Sequence, residues 1–326
     1  MWSLRSFLNT DTPALAKIWS DHSSASPPLS YCSIGLWDQC VLSKTYFDAA
    51  DLVLALDDQG VAQGLIHFGP SLAENGHDAS LDCGMIHRLC VRPQSEDEEN
   101  QIASLLIHYA IEAFRARGMC RCLGVGSIDG STFYLGIAEG DNLMGVAATD
   151  QRTLRWLQQA GFQQFVPTEC WSVSLETFRP PMDRTQILIR RGCTISRILD
   201  DYPSNWWLSN ILGHCEQSRF HLLSRGPDRI EMEIMMWAPD PDTTIRGVDA
   251  NTARFRMPTI PEDDENRERL IYLIAESLRQ LHSERKRQVR VVTLSQHQGS
   301  ARILQRLGFR CQEHGMVFER HLNAPA

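Results

Sequence analysis

The chain says nearly the same thing twice. Thr153–Phe162 reads TLRWLQQAGF and Ser300–Phe309 reads SARILQRLGF, and EDEENQ at Glu96–Gln101 is matched by EDDENR at Glu262–Arg267. In each copy the acidic segment opens an amphipathic helix, a strand follows, and the Gly-Phe pair ends a short helix. The span from Asn100 to Gly161 is longer than that from Asn266 to Gly308, and the excess falls in GSIDGSTFYLGIAEGDNLMG (Gly126–Gly145). A Gly-rich loop of that length exceeds what packing alone requires. Such a duplication constrains the fold more than any composition does: the expected architecture is two copies of one α/β unit.

With 326 residues there is room for two such units and their cores. The 22% of charged residues sums to a net −8, which argues against a nucleic-acid surface or an anionic-membrane patch. The one basic run, ERKRQVR (Glu284–Arg290), falls at a helix end, where cations suit the helix dipole. The ten cysteines include no CxxC pair, so the pattern calls for reduced thiols and no metal. The N-terminus MWSLRSFLN lacks a long apolar region and no apolar run is membrane-length. The expectation is a cytoplasmic protein with neither nucleic acid nor membrane as partner.

Periodicity places the elements. WSLRSFL alternates as a strand, and a helix starts at Thr10 or Asp11 with Leu15, Ile18 and Trp19 on one face. A second helix is expected over Ser33–Lys44. Leu52–Leu56 and Val61–Phe68, joined by Asp57-Asp58-Gln59-Gly60, form a hairpin. CGMIHRLCVRP is a strand stopped by Pro93. Ile102, Leu105, Leu106, Tyr109, Ala110, Ala113 and Phe114 mark a long helix that Gly118 caps. Periodicity lapses around Arg179–Met182, which sets a linker at 179–183 between units 1–178 and 184–326. In the second unit the elements before Asp228 are blurred, and the pattern becomes clear again from DRIEMEIMMWAPD onward.

This order of elements resembles the GCN5-related N-acetyltransferase family. The residues that carry the resemblance are IHRLCVRP…IASLLIHYAIEA…LRWLQQAGF in the first copy and ERLIYLIAESL…SARILQRLGF in the second. The resemblance implies an α/β (α+β) chain of two tandem acetyltransferase-like domains, each a mixed, mostly antiparallel sheet flanked by helices. It also implies acetyl-CoA as cosubstrate and transfer of its acetyl group to an amine, on a small molecule or a protein. In the family a glycine-rich turn after the central strand holds the pyrophosphate on backbone N–H groups. On that register the cofactor-binding positions are Gln101, Ile102, Ala103 and Ser104. Ala103 matches the family's final small residue, Gln101 stands for its first glycine, and Glu98 for its Gln or Arg. Glu96, Asp97, Glu98 and Glu99 suit a helix N-terminus but would repel a phosphate. The second copy offers Arg267 and Arg269 to a phosphate instead.

Direct transfer needs an alignment of donor and acceptor, a deprotonated amine, a stabilised oxyanion and a protonated leaving thiolate. The family's carbonyl-binding N–H lies on the central strand, here around Leu89, Cys90 and Val91, or Phe255 and Met257. Its frequent tyrosine acid is replaced by Leu157 and Leu304, and the usual asparagine by Asp150 and His297. The candidate catalytic residues are His87 on the central strand, with Tyr134 and Glu139 in the long loop. Asp141, Glu231, Glu233 and His297 are further bases. Each has an ordinary role beside the chemical one: a hydrogen-bonded strand histidine, loop packing, a helix cap, a solvated strand face. A non-catalytic module that binds a ligand or braces an assembly is therefore the rival reading. No GxGxxG after a strand, GxxxxGK[ST], HExxH or GxSxG occurs to suggest another chemistry.

Overall fold

The computed structural model describes residues 2–23, 33–127, 133–134, 143–200, 205–225, 229–239 and 251–322. The first half comprises β1 (Ser3–Ser6), α1 (Thr12–Ser23), α2 (Ile34–Trp37), β2 (Leu52–Leu56), β3 (Ala62–Leu72), β4 (Ala79–Val91), α3 (Glu96–Ala116), β5 (Arg121–Leu123), β6 (Val146–Ala147), α4 (Gln151–Gln159) and β7 (Gln163–Ser174). The second comprises α5 (Arg184–Gly192), β8 (Cys193–Leu199), α6 (Trp206–Leu212), β9 (Cys215–Ser224), β10 (Ile230–Pro239), β11 (Thr252–Arg256), α7 (Asp264–Ser283), β12 (Gln288–Leu294), α8 (Gln298–Arg306) and β13 (Arg310–His321). The helix expected over Ser33–Lys44 is α2, capped by Ser33 Oγ on the Leu36 N–H, and continues as a π-turn over Asp38–Leu42.

Sequence periodicity suggests one sheet per half; the structure has a single sheet. Its order is β1-β2-β3-β4-β5-β13-β7-β12-β11-β10-β9-β8, with β6 also against β13. The halves have exchanged their last strands. β13 pairs with β5 (Leu123 opposite Glu319) and β7 with β12 (Arg290 opposite Ser172). At the centre β7 and β13 run antiparallel, from Arg310 opposite Ser172 to Glu319 opposite Gln163. The exchange removes the inner edges that β5 and β12 would otherwise leave with unpaired N–H and C=O groups. Gly145 fits where β6 crosses β13: its φ is +73°, and a Cβ there would lie 2.3 Å from Met316 O.

The core follows the exchange. Leu52 and Leu54 face one layer, and Val53 and Ala55 the other, as the two-residue strand period requires. Phe318 of β13 is buried in the first half's α3 layer, while Trp171 and Val173 of β7 are buried in the second half's α7 layer. A third layer joins α1 and α2 to α6, with Trp19, Trp37, Trp207 and Trp237. There the Lys44 ammonium donates to the carbonyls of Asn210 and Ile211 (2.7 Å for the latter), and lies 2.8 Å from His214 Nδ1 at the end of α6. Burial draws that ammonium down to about 8.

A β-bulge interrupts β3–β4: His67 is opposite Arg88, and Phe68 opposite Ile86, which leaves His87 out of register. His87 is fully buried, its ring centroid 5.1 Å from that of His67 and 4.7 Å from that of Phe133. His67 Nδ1 lies 3.1 Å from Tyr134 Oη, and neither ring nitrogen of His87 has a partner among the described residues. Burial lowers His87 to about 3 and holds His67 well below its ordinary range, the neighbouring His87 adding to the latter. Burial, then Arg88 and Arg152, lower His22 to about 4.

These three histidines stay neutral in the fold at pH values where those of an unfolded chain, near 6.5, take up protons. The unfolded state then binds more protons, so stability falls as pH drops below about 6.5 and levels only near the folded values. The expected loss at pH 5 is about 2 kcal/mol per histidine, a large part of a typical fold's ~5–15. Urea titrations at pH 7.5 and pH 5 check this; equal stabilities would refute it. The strand exchange makes a second prediction. Residues 1–178 alone should give no cooperative unfolding transition, and mixing them with 179–326 should restore one. A monomeric 1–178 fragment with a sharp transition would show that the exchange is dispensable.

Candidate functional site

Two openings in the sheet arise in the same way. β4 pairs in parallel with β5 only from Cys83 opposite Arg121 to Met85 opposite Leu123, then runs on to Val91 with β3 as its one ladder partner among the described residues. β11 pairs in parallel with β12 from Thr252 opposite Gln288 to Arg256 opposite Val292, and the chain then leaves the ladder at Met257. Beside each opening stand the start of a long helix, α3 or α7, and the start of a short one, α4 or α8.

In the second half a cavity of about 430 Å³ is lined by Met257, Thr259, Ile260, His297, Gly299 and Ser300, among others. A groove of about 450 Å³ follows between α7 and α8, lined by Arg267, Glu268, Arg302 and Arg306. Ile260 and Gly299 border both, so the two form one channel. A Cβ on Gly299 would come no closer than 3.5 Å to Ile260, an ordinary contact; what keeps the channel open is the absence of a long side chain. Arg302 is exposed and has no ion pair among the described residues. Arg267 pairs with Asp264 at 3.1 Å and donates to Glu262 O, while Arg306 holds Glu268 and, at 2.6 Å, Asp183. The turn itself is poor in donors, because Pro258 and Pro261 have no N–H and Asp263 caps the Asn266 N–H.

The repeat aligns Gly299 with Arg152, and that position is filled in the first half. Arg152 Nε donates to Glu99 at 3.0 Å and Nη2 to Val91 O at 3.1 Å, with the guanidinium 5.1 Å from the Trp156 ring centroid. Glu99 in turn accepts the Gln94 N–H at 3.1 Å. Arg155 reaches Glu96 at 3.2 Å, and Arg155 and Trp156 both donate to Asn100. The acidic start of α3 thus divides: Glu99 turns inward as the turn's own anion, Glu96 pairs with Arg155, and Glu98 accepts from the Ser95 hydroxyl at 2.6 Å. What remains open in the first half is a cavity of about 500 Å³ that reaches across to the second, with Arg88, Leu89 and Arg152 on one side and Arg254, Arg290 and Val292 on the other.

The structure distributes the sequence candidates unevenly. Gln101, Ile102, Ala103 and Ser104 lie inside α3, which begins at Glu96, and not in the turn; their N–H groups are spent on helical bonds and Ile102 and Ala103 are buried in the core. The turn is Pro93–Ser95. Leu89 lines the first cavity, Cys90 is buried and accepts from Arg88 Nε at 3.3 Å, and Val91 gives its carbonyl to Arg152. His87 is enclosed by the bulge packing and does not reach either opening. Tyr134 is fully buried between Trp19 and Trp37, with ring centroids 5.5 and 5.8 Å away, so among the described residues it packs the interior. Glu139 and Asp141 lie outside the described residues.

In the second half Phe255 is buried against Phe309 and also borders the first cavity, while Met257 and Arg267 line the channel. Arg269 points elsewhere, to Glu231 and, at 2.8 Å, Glu265. Glu233 sits with Arg219 and His221 at 3.4 Å on the strand's outer side. Asp150 caps α4 through the Thr153 N–H at 3.0 Å, and Leu157 and Leu304 are core residues. Sequence reasoning missed Arg152, Gly299 and Arg302, although the aligned repeat sets Arg152 against Gly299, and it read Glu99 only as one of the carboxylates at a helix start. It also missed Arg254 and Arg290, whose pairing depends on strand register.

No protein-family model matches the sequence, and no curated protein matches it. Solved structures do. A GCN5-related N-acetyltransferase from Sphaerobacter thermophilus superposes with a TM-score of 0.65 at 12% identity, over 98% of this chain and 96% of that one. A tandem GNAT protein from the clavulanic acid biosynthesis pathway gives 0.67 at 10% identity over the whole of both chains. The glucosamine N-acetyltransferase region of a fungal multi-domain GH3 β-N-acetylglucosaminidase gives 0.71 at 13% identity, over 98% of this chain and 38% of that one. At such identities the likeness speaks for architecture alone. The architecture is the tandem GCN5-related N-acetyltransferase fold.

Proposed function

We propose that the protein is an acyl-CoA-dependent N-acyltransferase, with acetyl-CoA the expected donor, and that the second half holds the donor. The observation behind this is the cavity and the groove that adjoin at Ile260 and Gly299, set against the first half, where Arg152 and Glu99 occupy the same ground. A bound thioester would supply the activated acyl group. Arg302 and Arg267 suit its anionic end by charge, and Ile260, Val292 and Leu294 give the inner cavity apolar walls that exclude water. Past Arg256 the chain has left the β12 ladder, so the Met257 N–H is in position to serve a carbonyl oxygen.

The attacking amine must lose a proton and the departing thiolate must gain one. Among the described residues that line the inner cavity, His297 alone carries an imidazole, and no lining residue carries a carboxylate, phenol or thiol. It stands at the N-cap of α8, and an imidazole can accept the amine proton or deliver one to sulfur. The acceptor is an amine; the first half, with its donor groove filled, shapes the surroundings in which that amine approaches. The rival reading is a binding module without turnover. It draws on Leu304, a core residue at the position of the family's tyrosine acid.

Calorimetric titration with desulfo-CoA tests the assignment. Gly299→Arg should weaken binding at least tenfold, whereas Arg152→Gly should leave it unchanged; undiminished affinity in Gly299→Arg would remove the second half from consideration. His297→Ala should lower thiol release from acetyl-CoA, assayed against a panel of primary amines, by ~10²–10⁴-fold with desulfo-CoA affinity within about threefold. Unaltered turnover would strip His297 of its role. Native affinity without thiol release for any amine would favour the rival.

A further inference from the structure

The sheet ends at β8, and that edge lacks the devices that usually keep an edge strand solitary. Short strands, proline, outward lysine, bulges or a covering segment are the common ones. β1, at the opposite edge, has only four residues. β8 has seven, CTISRIL, with neither proline nor lysine. Its register against β9 runs without a shift from Cys193 opposite Ser224 to Leu199 opposite Ser218. Arg197 is its single charge and turns back to its own chain, to Glu284 and, at 2.7 Å, the Ser218 hydroxyl. Ile198 and Leu199 are 42% and 58% exposed, and Ile187 and Leu188 are exposed on α5, the helix that leads into the strand.

The ladder with β9 tells which backbone groups face outward. The Asp200 N–H donates to Gln217 O and the Arg225 N–H to Gly192 O, each one step beyond an end of the paired strand. Antiparallel bonding alternates, so between them Thr194, Ser196 and Ile198 are the residues bonded to β9. Ile195, Arg197 and Leu199 point their N–H and C=O groups away from the sheet, where no partner meets them among the described residues. The Cys193 N–H is already given to Ile189 O.

We propose that β8 pairs antiparallel with β8 of a second copy, giving a symmetric dimer whose sheet runs unbroken through both chains. A two-fold axis normal to the sheet pairs odd positions with odd ones, because alternate residues lie on opposite faces. The pairing that uses the whole strand sets Cys193 opposite Leu199, Thr194 opposite Ile198 and Ile195 opposite Arg197, with Ser196 on the axis. Its bonds fall on the odd residues, whose outward groups are free. Shifted one allowed step, the register would set Arg197 against its own copy, and like charges face to face repel. Shifted the other way, it would need Arg191 of α5 in the ladder. The ends suit each other by charge: Arg191 is exposed, and antiparallel pairing brings it near Asp200 of the other copy, where a φ of +52° ends the strand. β9 and β10 separate this edge from the opening at β11, so the inference does not depend on acyl transfer.

Sedimentation equilibrium of the full-length protein tests the pairing. A dimer is expected, with Kd at or below about 100 µM. Thr194 and Ile198 form the pairs without backbone bonds, where side chains approach most closely. Thr194→Lys/Ile198→Lys should therefore weaken the dimer by roughly tenfold or more. The change lowers the magnitude of the net −8, so general repulsion between chains cannot be the cause. Thr194→Lys/Ile198→Glu sets opposite charges at the same contacts and should leave Kd within about threefold. Both positions are exposed, and circular dichroism with thermal midpoints checks that both variants fold. A monomer at about 100 µM, an undiminished dimer in Thr194→Lys/Ile198→Lys, or equal loss in the two variants would overturn the proposal.

Discussion

The antiparallel ladder between β7 and β13 is the constraint on which the other features rest. Each strand belongs to one half by sequence and completes the sheet of the other, so neither half can bury its helical layer alone. Phe318 fills the α3 layer and Trp171 the α7 layer, and side chains of that size contribute about 1.5–3 kcal/mol each through burial. The same ladder fixes the distance between the two openings in the sheet. It also forms the wall between them, which is why Cys170 and Glu313 border the cavity that joins the halves.

Once two copies are locked together, they are free to diverge in what they hold. A site that binds a long anionic donor needs an empty path between the two helices beside the opening. Gly299 leaves that path and Arg152 blocks it, at matching positions of the repeat. The block is not a defect. The Arg152–Glu99 pair is nearly buried, and breaking one partner of such a pair leaves a desolvated charge that costs ~3–5 kcal/mol. Glu99 also satisfies the Gln94 N–H, a donor that the family's turn would offer to phosphate. In the first half the anion at this turn is the chain's own Glu99.

Much of this was legible in the letters. The repeat announced two α/β units, and the periodicity of Ile102, Leu106 and Ala110 gave α3 its buried face. The acidic quartet was readable as a helix start, though its true beginning at Glu96 moved Gln101–Ser104 out of the turn and into the helix. The strand exchange was not legible, because either pairing of β7 and β13 satisfies the same alternation of side chains; only the choice of partner differs. His87 and Tyr134 looked like chemistry since they are polar residues on a strand and a loop. The bulge beside His67 turned His87 inward, and Tyr134 found its hydroxyl a partner in His67, so both became core.

Register decides the remaining question of charge. In the sequence Arg290 closes the basic run Glu284–Arg290, read as a helix end, and Arg254 stands in ARFR; the structure puts Arg290 on β12 instead. Parallel pairing sets them opposite one another, and the exchanged strands bring Arg88 and Arg152 of the other half to face them across the cavity. Of these four, Arg152 is paired with Glu99, Arg88 is buried against Trp19, and Arg290 is exposed to solvent. Arg290 is opposite Ser172 as Leu123 is opposite Glu319, equally far beyond their Gly-Phe pairs, and the paired positions in the first half show that Met85 and Leu123 serve the fold equally well. The duplicated scaffold thus accepts apolar or cationic side chains at one register position, and the choice separates the two halves by charge and not by fold.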